Sequence, residues 1–447
     1  VAVSRFAVTL EKMGVPTAPC VGENVGEYIQ TYDKLYATGM PLRFTVFPLP
    51  VAGMPRDVHE KYVSGNDPLT GAPILRELIS ALTRPLTKEE QLTGPPPAAA
   101  TEPRLLPPDT EEKLQELFKT KDWTDYLPVV LPTVERVAAM LKGTSHKPDE
   151  IVKTLTWPGG ARQMTVEKVA ACAVMAGAKP KHLPAILALS TLAPFGNSTT
   201  SMANMIIVNG PVRKELGMNA GTHALGPHNE ANAVIGRVFT LLSKTAGNIH
   251  AGTTAFSSLG TSLQYNNVCY AENEEALPEG WRPVHVQFGY RPEDSVVTLG
   301  TGWSMISSVG EVQLSYPPQY LIRDYMRGLS GFGSAALLMV DPLVAQMLHD
   351  QHGFPTKESV GEWLAANVKI TAGQYWGNGV VASFSWSFGE HGMEPYAGWQ
   401  KVPPEELIAP YTNSRAINTV VVGGQTNNLW YVTDFRLARG VPVDDWR

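Results

Sequence analysis

The chain reads as an α/β protein: an incomplete parallel α/β layer at its N-terminal end, followed by a larger mixed α/β domain. Three observations predict this. Segments of helical and strand period alternate through the first ninety or so residues. A proline-rich stretch then interrupts them, and the remainder mixes capped amphipathic helices with short β-branched runs.

The elements follow in order. Residues 1–13 form a helix, because Val3, Phe6, Ala7 and Leu10 recur at i, i+3, i+4 and i+7, and Gly14 ends it. VPTAPCV is a short buried strand. Residues 27–37 make a second amphipathic helix closed by Gly39, LRFTVFPLP a second strand stopped by its prolines, and residues 73–82 a third helix. In a parallel α/β layer each helix normally returns from a preceding strand, and here the first helix has none. The sequence therefore predicts, over residues 1–93, a partial flavodoxin-like domain lacking its first strand and loop. That part would belong to an upstream segment or a separate polypeptide. The plainer alternative is a domain that opens on a helix.

Residues 94–109, GPPPAAATEPRLLPPD, hold six prolines and little periodicity, which sets a linker at 94–112. The mixed domain, 113–447, has helices at 133–142, at 165–176 (capped by Thr165, ended by Gly177), at 229–246 and at 356–366. Strand-like runs lie at MIIVNG, NNVCYAEN, VHVQFGY, SVVTLG and NTVVVGG.

Only 17% of the residues are charged, low for a fully solvated surface, so a homo- or hetero-oligomer is expected. The net charge of −6 and the lack of a basic run argue against nucleic acid. The longest apolar runs are far shorter than the ~20 residues of a membrane span. Three cysteines, Cys20, Cys172 and Cys269, fit a reducing, cytoplasmic setting and match no zinc or CxxC spacing. Cys20, beside Pro19 on a buried strand, and Cys172, within an apolar helix, read as structural.

No Walker, GxSxG, HExxH or Rossmann signature is present. GLSGFGSA at 328–335 lacks the preceding strand and following acid of a dinucleotide loop. No cofactor and no metal are predicted, since His223 and His228 meet only if their loop curls and have no third ligand in sequence.

Two polar clusters stand out. In the first, residues 209–237, a strand ends at Asn209 and a glycine-rich loop leads to Asn229, the expected cap of the longest helix. Asn209, Arg213, Asn219, His228, Asn229, Asn232 and Arg237 are its candidate substrate-binding residues. The free amides of the helix start would suit a carboxylate or phosphate, with Arg213 and Arg237 adding charged hydrogen bonds. The bland alternative is that the asparagines merely satisfy turns and caps. In the second cluster, Cys269 sits on a strand and Glu272 and Asn273 at its end. A thiol and a carboxylate there could be nucleophile and general base, with Asn273 binding substrate; a core cysteine before a solvated acidic loop is the alternative. If the two strands are parallel neighbours, Asn209 and Glu272 leave the same sheet edge.

EKMGVPTAPCV and FTVFPLPVAGMP, with IVNGPVRKELGMNAG, ALGPHNEANAVIGR, VCYAENEEA, VHVQFGYRPEDSVVTL and the late VVVGG, resemble the UGSC-like family. That family is named for a selenocysteine-or-cysteine, Gly, Ser, Cys motif. The N-terminal part is also similar to component B of the glycine, sarcosine and betaine reductases. The resemblance implies a reactive thiol or selenol loop just before the first helix; GTGWSMISSVG at 300–310 and VGGQTNNLWYV at 422–432 depart from the family pattern. Together these readings lead to an enzyme subunit that uses thiolate chemistry, redox or otherwise, on a small anionic organic substrate. The alternatives are a cofactor-free lyase or hydratase using Cys269 and Glu272, and a non-catalytic partner subunit.

Overall fold

A computed structural model describes residues 2–23, 42–51, 54–91, 104–157, 160–192, 202–247, 255, 257–308 and 316–447. The chain has a mixed α/β architecture with several sheets and divides into two compact units. The first comprises Val1–Thr110, Thr154–Met164 and Ile249–Phe256; the second comprises Glu111–Lys153, Thr165–Asn248 and Ser257–Arg447. The expected helix at 27–37 and most of the expected linker lie outside the described residues.

In the first unit, α1 (Ala2–Lys12) ends at Gly14, whose φ of 80° suits a residue without a Cβ. Strands β1 (Cys20–Gly22) and β2 (Thr45–Phe47) pair in parallel, Val21 beside Val46. Helices α2 (Arg56–Ser64) and α3 (Ile74–Thr83) follow, and sequence periodicity does not predict the first of them. Among the described residues Ala7, Val8 and Leu42 form one buried patch and Val21 and Val46 another, and Ile74 of α3 is fully buried. Phe6 on α1 is 73% exposed. Cys20, expected on a buried strand, is exposed because β1 turns that position outward.

The second unit contains the hairpin residues of β3 (Ile151–Trp157) and β4 (Gly160–Thr165) that lie outside 154–164. Its centre is a pair of sheets. One has the order β14 (Arg436–Leu437), β7 (Val296–Gly302), β5 (Ala203–Asn209), β6 (Val268–Ala271), with β15 (Val441–Pro442) also on β7. The other runs β12 (Ile417–Val421), β9 (Ala336–Val340), β13 (Trp430–Thr433), β8 (Met305–Ser307). The small pair β10 (Ile370–Thr371) and β11 (Leu407–Ile408) lies apart from both. Alternation explains how the two large sheets meet. Met205, Ile207, Tyr270, Leu337, Met339 and Val420, each on one face of its strand, share a single buried core.

Helices cover the outer faces. On the first sheet lie α5 (Leu183–Thr191) and α6 (Glu230–Thr245), and α4 (Val166–Ala176) packs against both of them. On the second, α7 (Pro318–Met326), α8 (Pro342–His352) and α9 (Lys357–Asn367) pack on the opposite face of β9, β12 and β13. A further helix, α10 (Gly379–Glu390), belongs to an aromatic satellite cluster around Tyr375 and Val381. Thr165 and Thr356 cap α4 and α9 as the sequence predicts, accepting from Lys168 and Ser359 backbone N–H.

VHVQFGY, expected as a strand, instead forms a short helix, Val284–Gln287, because Pro283 opens it and leaves no ladder to extend. α5 escaped prediction for the opposite reason: almost every side chain in it is buried, so it has no polar face to mark a period.

Candidate functional site

Strands β5 and β6 are parallel, Val208 beside Ala271, so Asn209 and Glu272 do emerge at one edge. Gly210 follows β5 at φ 80°, and a Cβ there would come within 2.1 Å of the Asp294 carbonyl oxygen. Asn209 Nδ2 donates to Glu272 Oε2 at 2.7 Å and to Glu274 Oε1 at 2.9 Å. The Val284 N–H donates to the same Glu272 Oε2 at 2.7 Å. Glu272 Oε1 is ion-paired with the Lys357 ammonium, and both side chains are almost fully buried. Each oxygen of Glu272 is thus held, and the carboxylate has the surroundings of a structural ion pair rather than of a general base.

Arg213 is equally committed. Its Nε donates to Gly210 O (3.0 Å), Nη1 to Glu272 O (2.8 Å) and Glu275 Oε2 (3.0 Å), and Nη2 to Glu274 Oε2 (3.0 Å) and Glu275 Oε1 (3.1 Å). A guanidinium has five N–H donors, so all are used and none is left for a substrate anion. In return the Arg213 hydrogen bonds hold the Glu275 carboxyl down to about 2, against the opposing effect of partial burial. Asn273 stitches the two sheets together, its N–H donating to Val421 O (2.8 Å) and its Nδ2 to Gly423 O (2.9 Å).

The loop before α6 is knitted by three of the predicted asparagines. Asn219 Nδ2 donates to Asn229 Oδ1 (2.8 Å), and Asn229 Nδ2 donates to the carbonyls of His223 (2.6 Å), Gly226 (2.8 Å) and Ala224 (3.2 Å). Asn232 Oδ1 accepts from Asn219 N (3.1 Å), while its Nδ2 donates to Asn219 O (2.9 Å) and Ala224 O (3.1 Å). Asn229 stands at the N-cap position but makes no side-chain cap bond, its amide being drawn back into the loop. The first turn of α6 is left without a side-chain cap.

That turn borders a cleft of about 130 Å³ lined by Ala224, Leu225, Asn229, Leu263, Cys269 and Met305, among others. The cleft follows β6 and β8, the edge strands of their two sheets. α6 lies close to β6 because Gly236 has no side chain: a Cβ there would sit 1.8 Å from Asn266 O. Cys269 faces this contact, and burial pushes its thiol up to about 12. It is protonated at neutral pH, the state of a packing cysteine and not of an attacking thiolate. Burial also raises Cys172, to about 11, and the Cys20 thiol, exposed as it is, is shifted up by the protein around it.

His228 and His223 are both exposed in left-handed conformations (φ 84° and 65°), with ring centroids 6.0 Å apart. Among the described residues no group of three or more His, Cys, Asp or Glu side chains is placed to hold a metal. Arg237, expected in the anion site, lies instead on the face of α6 turned to residues 125–128. There it forms a bidentate pair with Asp125 (2.8 and 3.0 Å) and donates to Pro128 O (2.9 Å).

Three contributors were not foreseen. Lys357 carried a usable signal, because a lysine in the first turn of a helix opposes the helix dipole and needs an acidic partner. Met305 and Leu263 carried none, since an apolar residue near a cleft has the same composition as one in the core. No described helix is long and apolar enough to cross a membrane. The chain matches no protein-family model, no curated protein and no solved structure.

Proposed function

We propose that the chain is the substrate-binding part of an enzyme acting on a small organic carboxylate, held in the cleft at the start of α6. The observation that carries this reading is the uncapped first turn of α6 beside a cleft where Leu225, Leu263, Val268 and Met305 alternate with asparagine amides. The N–H groups of Glu230, Ala231 and Asn232 would receive the carboxylate. Leu225, Leu263, Val268 and Met305 would pack a short aliphatic body. Glu230 does not oppose the anion, because its carboxylate is paired with Lys179 at 2.5 Å. The cleft is well below the roughly 300–1,000 Å³ of drug-sized sites, which sets the substrate at a handful of non-hydrogen atoms.

The UGSC-like resemblance implies thiol chemistry, and this reading covers only the binding of the substrate. All three cysteines of the chain have their thiols shifted toward the protonated form, which is why none of them is assigned the attack. Calorimetric titration with short aliphatic carboxylates, and with the matching amides, tests the site. Carboxylates should bind with a Kd of about 1 mM or tighter, roughly −4 kcal/mol, and the amides at least tenfold more weakly. Leu263→Trp should abolish the binding; equal affinity for acid and amide, or an unaffected Leu263→Trp variant, would overturn the proposal.

A further inference from the structure

His223 and His228 have no part in the cleft's hydrogen bonding, yet the curl of the loop before α6 brings their rings to 6.0 Å between centroids. Both side chains are exposed, and among the described residues no hydrogen bond occupies a ring nitrogen of either. Both backbones are left-handed, at φ 65° and 84°, a conformation uncommon away from glycine. The loop is pinned around them. The Asn229 amide donates to the carbonyls of His223 and Gly226, and the Asn219 amide to Thr222 O. Gly226 makes room for the first ring: a Cβ there would lie 2.1 Å from His223 Nε2, 2.5 Å from Cδ2 and 2.6 Å from Cε1. Distances so alike place that position over the ring face. His223 therefore rests its face on the glycine, and the in-plane lone pair of its unprotonated nitrogen is not spent on that contact.

We propose that His223 and His228 together chelate one divalent transition-metal ion, with its remaining coordination positions open to water. The separation of the rings is the argument. With metal–nitrogen bonds of about 2.0–2.1 Å, a shared ion stands roughly 3.2 Å from each centroid, so the centroids are about 5.2 Å apart at a tetrahedral angle and about 6.4 Å apart in line. The observed 6.0 Å falls inside that range. Exposed rings without hydrogen bonds are free to turn between rotamers and aim a nitrogen at the shared point. The ligand type selects the ion. Among the described residues no carboxylate joins the pair, which disfavours calcium and magnesium, since these take oxygen ligands. Imidazole suits copper, nickel and zinc, and copper(II) binds tightest of the three at a given site. Two ligands in place of four, beside the positive end of α6, set the dissociation constant on the order of 10 µM.

Calorimetric titration of the whole chain with copper(II) tests this, in a Cys20→Ser background because that exposed thiol would itself take copper. One ion should bind at roughly 10 µM, and His223→Asn or His228→Asn should each weaken it at least tenfold. Asparagine is the replacement because it tolerates left-handed backbone, so the loop keeps its shape; an unchanged circular dichroism melt checks this. His349→Asn, on α8, should leave the affinity as it was. The electron paramagnetic resonance spectrum of the bound copper should show coupling to two imidazole nitrogens, falling to one in either loop variant. An affinity that neither loop variant shifts overturns the proposal, and so does a spectrum with a single imidazole nitrogen before substitution. Copper binding that His349→Asn weakens as much as the loop variants do is adventitious surface binding, and overturns it too.

Discussion

Two polar clusters leave the same edge of one sheet and have opposite characters. Around Asn209, Arg213 and Glu272 the guanidinium, the Lys357 ammonium and the Asn209 amide N–H groups are matched to acceptors inside the protein, while Asn209 Oδ1 is buried without a hydrogen-bond partner. Around Asn229 the side-chain amides are equally occupied, yet the backbone of the first turn of α6 has no side chain capping it and faces a cleft. In sequence Arg213 belongs with Asn229 to one anion-binding cluster, beside a second cluster of Cys269 and Glu272. The geometry divides them differently: charges that answer one another hold a fold together, and backbone groups without a side-chain cap beside a cleft leave room for a ligand.

The largest effect is expected at the buried ion pair. Lys357→Met leaves the Glu272 carboxylate buried without its cation, which should destabilise the second unit by about 3–5 kcal/mol. Urea unfolding would read this as a lower midpoint at an unchanged slope. A midpoint close to the wild type would mean that Glu272 is not committed to the fold. Arg213→Ala comes next, since it strands Glu274 and Glu275 and should remove about 2–3 kcal/mol. Its affinity for short carboxylates, measured on folded protein, should not change. A tenfold loss of affinity would return Arg213 to the binding site.

How much of this was legible beforehand follows from where each signal lives. The long helices were legible because a helix half in water keeps a 3.6-residue pattern, as Ile235, Val238 and Leu242 do in α6. The edge shared by Asn209 and Glu272 was legible only as a conditional, because the residues between β5 and β6 allow either strand direction. The pairing of Arg237 with Asp125 was not legible at all: the partners are 112 positions apart and nothing local joins them. Asn229 misled in a physical way. Asparagine is a good N-cap and also a good turn former, and in this loop three carbonyls compete successfully for its amide.

On the cleft side, Cys269→Ala tests a packing role for the thiol. A thiol pushed up to about 12 by burial acts as a small apolar group, so its loss should cost about 1 kcal/mol and leave carboxylate affinity within twofold. Labelling the native chain with iodoacetamide should modify Cys20 first, with Cys172 and Cys269 reacting only as the protein unfolds. Rapid native labelling of Cys269, protected by a bound carboxylate, would make it a participant in the site.

The smallest expected effect comes from His182, which supports the charged cluster from behind. Its Nδ1 accepts from the Lys179 N–H at 3.1 Å, and its Nε2 faces Leu216 O at 3.2 Å. Leu216 ends the short helix that carries Arg213. Burial lowers the His182 pKa, outweighing the hydrogen bond to Leu216 O that favours the charged form. The unfolded chain therefore takes up this proton first, near the ordinary value of about 6.5. Above that pH both states are neutral and the contribution is fully present. As pH falls below it, the unfolded state binds the proton and stability declines, until the lowered folded pKa is passed. Protonating the folded ring would also turn Nδ1 from an acceptor into a donor facing the Lys179 N–H. Thermal melts at pH 7.5 and 5.5 should show a drop in the wild type that is smaller in His182→Gln, whose side chain can still offer one acceptor and one donor. Equal drops in the two proteins would mean that the acid sensitivity lies in other groups, and that the charged cluster holds its geometry without this histidine.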